Sequence, residues 1–152
     1  MVNNAPRIAK TIANLELVAI NDVTSSVQTT SDQRDFLKDI FNKELISSDK
    51  LAKEFSSRFG YPLVDVSSIN LDSLPREFID MNVVERHLVL PIYKHGKKLF
   101  VAMIDPTNKA ALDEIKFYSG LEIVPVQTEL HFLDSLIAVS YTHLTLPTTS
   151  RV

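Results

Sequence analysis

The run His95-Gly96-Lys97-Lys98 is the nearest this chain comes to a nucleotide-hydrolysing motif. A P-loop needs a glycine-rich turn whose backbone amides surround phosphates, then a lysine and a hydroxyl that ligates the metal. Here Pro91 stands where the first glycine belongs and Lys98 replaces the serine or threonine, in a chain with only 3 glycines. No ATPase site is expected. The four histidines, His87, His95, His131 and His143, have no partner four residues away and no cysteine neighbour, so they read as structural residues rather than zinc ligands. Asp113 with Glu114, and Glu77 with Asp80, are spaced like carboxylate pairs for acid-base work. On amphipathic helices such pairs are ordinarily solvated faces, and no nucleophile accompanies them. The sequence therefore assigns no catalytic and no metal-ligating residue. Lys94, His95, Lys97 and Lys98, beside Tyr93 and Phe100, make the one concentrated positive patch. It suits an acidic partner or a phosphate, although lysines at a hairpin tip more often maintain solubility and protect a sheet edge.

Composition sets the frame for these residues. A chain of 152 residues, 45% hydrophobic and 23% charged, can bury one core or two small ones side by side. A formal charge of -3 gives no overall basic field, and no nucleic-acid partner is expected. The absence of cysteine excludes disulfides and Cys-based zinc sites and fits a reducing compartment. Neither a cleavable leader nor a run of about 20 apolar residues is present, so a cytoplasmic location is expected.

Between about residues 6 and 60 the apolar positions recur at three and four, the helical period. Ile8, Ile12, Leu15 and Ala19 suggest one face, Val23 and Val27 a second segment, and Phe36, Leu37, Ile40 and Phe41 a third. In SSDKLAKEFSSRFGYP, Ser47 or Ser48 caps a helix, Leu51, Ala52, Phe55 and Phe59 line it, and Gly60 then Pro62 stop it. Offset by 28 residues, the first half repeats itself: Ile8 matches Phe36, Ile12 matches Ile40, Val23 matches Leu51 and Val27 matches Phe55. After Gly60 the period changes. Pro62–Val66 reads as a short strand, Pro75 as the start of a short helix through Met81, and Leu88–Tyr93 with Leu99–Ile104 as a hairpin. Pro91 restricts the first hairpin strand to an edge or a bulge. Asp105-Pro106-Thr107-Asn108 starts a helix that ends at Gly120, Leu121–Val126 is a third strand, and Glu129–Ile137 a last helix. The expected class is α+β: a helical subdomain over residues 6–60, then, over 61–137, a small sheet of three or four strands covered by helices.

From residue 138 to 152 threonine and serine dominate and helical periodicity stops. This tail resembles translated sequencing-adapter read-through. On that reading it is non-native, His143 and Arg151 carry no function, and the natural product continues beyond about Ile137.

FGYPLVDV and the run LPREFIDMNVVERHLVLPIYKHGKKLFVAMIDPTNKAALDEIKFYSGLEIVPV resemble the N-terminal domain of type IV pilus assembly ATPases of the PilB type. More distantly they resemble the GspE ATPases of type II secretion. The resemblance spans about residues 7–137. It implies a soluble regulatory or docking module, cytoplasmic and peripheral to the inner membrane. The ATP- and magnesium-binding motor would lie outside the present sequence. Implied partners are that motor in a hexamer, an inner-membrane platform protein and a PilZ-type adaptor. Some relatives bind cyclic di-GMP on the helical half through tandem motifs of the form R-L-G-x-x-L-V-x-x-G, the MshEN-like repeat. Arg7 matches the arginine and Ile8 the leucine of the first copy, as cofactor-binding candidates. Ala9 and Glu16 replace its glycines, and Asp35, Leu37 and Glu44 occupy the arginine and glycine places of the second. A carboxylate repels a phosphate and a side chain blocks close backbone approach, so little dinucleotide affinity is expected. A cyclic di-GMP sensor and the equivalent domain of a type II secretion ATPase are the alternatives.

Overall fold

The computed structural model describes residues 6–30 and 32–139. Four helices come first: α1 (Arg7–Asn14), α2 (Ile20–Thr29), α3 (Gln33–Asn42) and α4 (Ser48–Phe59). Three single 3₁₀ turns follow, at Val66–Ser68, Leu71–Ser73 and Arg76–Phe78, then α5 (Met81–His87). The sheet elements are β1 (Val89–His95), β2 (Lys98–Met103), the crossover helix α6 (Lys109–Ser119) and β3 (Glu122–Gln127). A last helix, α7, occupies 130–139. The architecture is α+β. Residues 138 and 139, assigned above to the tail, continue α7, and 140–152, with His143 and Arg151, lie outside the described residues. Two compact units divide inside α4, between Leu51 and Ala52.

In the first unit Ile8, Ile12, Val23, Phe36 and Ile40 of the repeat-matched positions are buried, with Leu37 beside them, whereas Val27 is only half-buried. The expected face running on to Leu15 and Ala19 is broken: Leu15 caps α1 and Ala19 is exposed ahead of α2. The cause is Glu16, which sits in the left-handed region at φ 59. Glu16 N–H donates to Ala13 O and Leu17 N–H to Ile12 O, the bonds of a Schellman cap that satisfy the last carbonyls of the helix. Twenty-eight residues on, α3 ends the same way: Glu44 has φ 58, its N–H donates to Phe41 O, and Leu45 N–H donates to Ile40 O. At its other end α3 is capped by Asp32, which accepts from Asp35 N–H at 2.9 Å. Ser47 caps α4, accepting from Lys50 N–H at 3.1 Å, and Gly60 at φ 79 closes it.

In the second unit the strand order is β1-β2-β3, with β1 and β2 antiparallel and β2 and β3 parallel. The hairpin turns on Gly96 and Lys97, with Gly96 at φ 61, the first-position glycine of a type II′ turn. Pro91 lies on the edge strand and beside a register shift between Pro91 and Tyr93, both of the settings that tolerate it. Asn108 caps α6, accepting from Ala111 N–H at 3.3 Å, and Gly120 ends that helix at φ 71.

Two expectations change. The strand read at Pro62–Val66 is a single bridge, Leu63 to Gln127, made by Gln127 N–H donating to Pro62 O and Val64 N–H donating to Gln127 O, each at 2.8 Å. Toward the N-terminus the next rung would need donors from Pro125 and Pro62, and neither has an N–H; toward the C-terminus β3 has ended at Gln127 and Val66 opens a 3₁₀ turn. The helix read from Pro75 to Met81 is a 3₁₀ turn over Arg76–Phe78, followed by a separate α5 that starts at Met81 and ends with Leu88 in the left-handed region.

Gln127 is fully buried, and its side-chain Nε2 donates to Ile104 O at 2.6 Å and to Thr128 O at 3.2 Å. Gln127→Met keeps the volume but strands these carbonyls, and urea denaturation should register a loss of about 1–3 kcal/mol. A stability within ~0.5 kcal/mol of the parent would show that the carbonyls find other donors. Glycine carries no left-handed penalty, so Glu16→Gly and Glu44→Gly should each stabilise the chain by roughly 0.5–1 kcal/mol, read as a rise in the urea midpoint.

Candidate functional site

The residues that suggested chemistry fall into three separate places. Arg7 is the exposed first residue of α1, whereas Ile8 and Ala9 are fully buried. The helix therefore offers Arg7 to solvent and spends Ile8 on packing. In the same unit the fully buried Ser26 on α2 faces Asp39 on α3. Its hydroxyl, with Lys43 one helical turn along at 3.0 Å, holds the Asp39 carboxyl below its ordinary range.

In the second unit α5 and α6 are joined by charge. Arg86 Nη2 donates to Glu114 Oε2 at 2.5 Å, and His87 Nε2 lies 3.1 Å from Glu114 Oε1. Hydrogen bonding from His87 and the Arg86 charge lower the Glu114 pKa, against a smaller opposing effect of burial. Glu114 thus serves as an interhelix tie, while Asp113 is exposed; the suspected pair is divided between two environments. Glu77 and Asp80 do not share a helix, since Glu77 is in a 3₁₀ turn and Asp80 precedes α5. The Glu114 tie has no local sequence signal, because its partners lie 27 and 28 residues away.

The remaining histidines are apart. His95 stacks on Tyr93 with ring centroids 6.2 Å apart, and His131 contacts Phe132. Among the described residues no group of three His, Cys, Asp or Glu side chains is placed to hold a metal ion. The P-loop imitation is a hairpin turn between antiparallel strands. A phosphate cradle needs a strand-to-helix turn, where amides and a helix N-terminus converge. Asp105, just after β2, is buried and its Oδ1 accepts from Thr107 N–H at 3.1 Å, fixing the turn into α6. Among the described residues no helix is long and apolar enough to cross a membrane.

With a sheet, its crossover helix and this set of ties in place, the chain matches the MshEN domain over residues 59–143. The chain belongs to the MshEN domain family. The match falls on the α+β half and begins at Phe59. Related proteins agree: the type IV pilus assembly ATPase PilB of Pseudomonas aeruginosa is 29% identical over 107 residues, covering 70% of this chain and 19% of PilB. PilB of Myxococcus xanthus is 33% identical over 81 residues, 53% of this chain and 14% of that protein. The chain thus spans about a fifth or less of the length of these relatives. Among solved structures, the N-terminal domain of XpsE has a TM-score of 0.64 at 19% identity, covering 87% of this chain and 92% of that one. MshE, solved with cdg, has a TM-score of 0.58 at 16% identity, covering 89% and 99%. At those identities the likeness is one of fold. Sequence likeness thus joins this MshEN chain to PilB over a fifth or less of PilB's length, and fold likeness joins it to the N-terminal domain of XpsE.

The Glu114 pKa lies below its ordinary 4.5 when folded. Its tie therefore contributes fully above the unfolded value and is lost as pH falls through the folded one. Glu114→Gln should lower stability near neutral pH and converge with the parent in acid below that window. Parallel denaturation curves at all pH values would show the tie to be energetically silent.

Proposed function

We propose that this chain is the N-terminal regulatory and docking module of a type IV pilus assembly ATPase, without an ATP-hydrolysing site of its own. The observation that carries this is the PilB similarity, which extends over 70% of the chain and only 19% of PilB. In the proposal ATP and magnesium act in a motor domain joined to this module in a hexamer. The module relays contact with an inner-membrane platform protein or a PilZ-type adaptor, from the cytoplasmic face of the membrane. A type II secretion ATPase would use an equivalent module with a different cargo, and the XpsE fold likeness supports that alternative. The test is exchange: residues 7–137 replace the corresponding segment of a PilB in a strain lacking it. Restored pili at unchanged ATPase activity support the reading. Normal ATPase activity without pili, from a stable hexamer, rejects docking in a pilus machine.

A second reading, a cyclic di-GMP sensor, is favoured by the fold shared with MshE, which is solved with cdg. Against it stand Glu16 and Glu44, both exposed where a phosphate-binding repeat has glycine. Titration calorimetry should detect no dinucleotide binding to the parent chain. A response that appears on combining Glu16→Gly with Ala9→Gly would support descent from a sensor, and saturable binding by the parent would establish sensing itself.

A further inference from the structure

The cationic hairpin tip is left unused by the reading above. Lys94, His95, Lys97 and Lys98 are all exposed around the Gly96-Lys97 turn, and Tyr93 behind them is 56% exposed. The tip is ordered from beneath. Tyr93 stacks on His95 with an interplanar angle of 14° and touches Phe100 at 5.7 Å between centroids, while the Lys94 ammonium lies 5.7 Å from the Phe78 ring centroid. Glu122, opposite Lys98 on β3, offsets part of the charge, and Glu77 is exposed next to Phe78.

We propose that this hairpin tip is an electrostatic contact for the anionic headgroups of a lipid bilayer. Three features favour a bilayer over a folded acidic protein. The charges are lysines, compact and on flexible stems, with no arginine between Leu88 and Gly120 to offer bidentate, oriented recognition. They surround a two-residue turn at the end of a sheet, a convex point suited to a fluid array of headgroups. Tyr93 adds an amphipathic ring of the kind that settles at a membrane interface. The chain as a whole carries -3, so the attraction is local and acts within a Debye length. The inference rests on the hairpin and is independent of the pilus reading.

Co-sedimentation of the full chain with vesicles of phosphatidylcholine containing about one third phosphatidylglycerol tests it, at low and at physiological salt. The expected result is binding that weakens with salt, is absent from pure phosphatidylcholine, and falls about fivefold for each lysine neutralised in Lys97→Gln and Lys98→Gln. These exposed positions leave Gly96 and the turn in place, and circular dichroism verifies the fold. No binding to anionic vesicles at low salt overturns the proposal, as does binding that the lysine substitutions leave unchanged. Retention on immobilised poly-L-glutamate without vesicle binding overturns it in favour of an acidic protein.

Discussion

The second unit depends on where Gln127 sends its hydrogen-bonding groups. Its backbone joins the 62–64 segment to β3, and its side-chain amide reaches across to the carbonyls at the end of β2. All of this happens in a fully buried side chain, where an unmade bond costs about 1–3 kcal/mol and cannot be offset by water. One residue therefore fixes the relative position of the 62–64 segment, the β2 terminus and the turn into α7. Thr128 N–H donates to Met103 O at 3.0 Å and extends the same pairing by one step. The side chain acts here as a donor, its Nε2 reaching the carbonyls of Ile104 and Thr128, which an apolar residue of the same size could not do.

The size of the sheet follows from proline. On β3, Pro125 points its missing donor outward, and on β1, Pro91 lies on the opposite edge strand. Each edge thereby lacks a donor that an incoming strand would need. The sheet stops at three strands for a covalent reason, not for want of apolar residues, since Ile123 and Val124 would suit a further partner. An edge without those donors is protected from pairing with the edge of another copy.

Much of this was legible in the sequence where the signal is local. Asn108 and Gly120 bracket α6, Ser47 and Gly60 bracket α4, and Gly96 marks the hairpin, because caps and left-handed turns are written in one or two residue types. Pro62–Val66 forms only a bridge because its partner strand ends at Gln127 while a proline in each segment blocks the rung before it, facts about a distant strand that periodicity does not register. The helix α5 was missed because seven residues with adjacent Val83 and Val84 give no helical period. The Glu114 tie and the Gln127 knot belong to the same class: polar side chains whose roles exist only once distant backbone has been brought beside them. Arg7 and Ile8 illustrate the limit for a ligand motif. Adjacent in sequence, they are divided by the helix into an exposed cation and a core residue.

The repeated caps at Glu16 and Glu44 separate fold from ligand. Each cap closes two backbone hydrogen bonds at the end of a helix. At roughly 0.5–1.5 kcal/mol apiece these bonds offset the ~1–2 kcal/mol that an L-residue pays in the left-handed region. The turn therefore persists with glutamate as it would with glycine, and the helical half keeps its shape through the exchange. Ligand contact has no such compensation. A carboxylate placed where backbone must approach a phosphate adds both a side chain and a like charge, and the energy of the cap does nothing to remove either. The caps thus account for the helical turns at Glu16 and Glu44, and it is only in the cyclic di-GMP reading proposed above that the same two carboxylates stand in the way of a ligand.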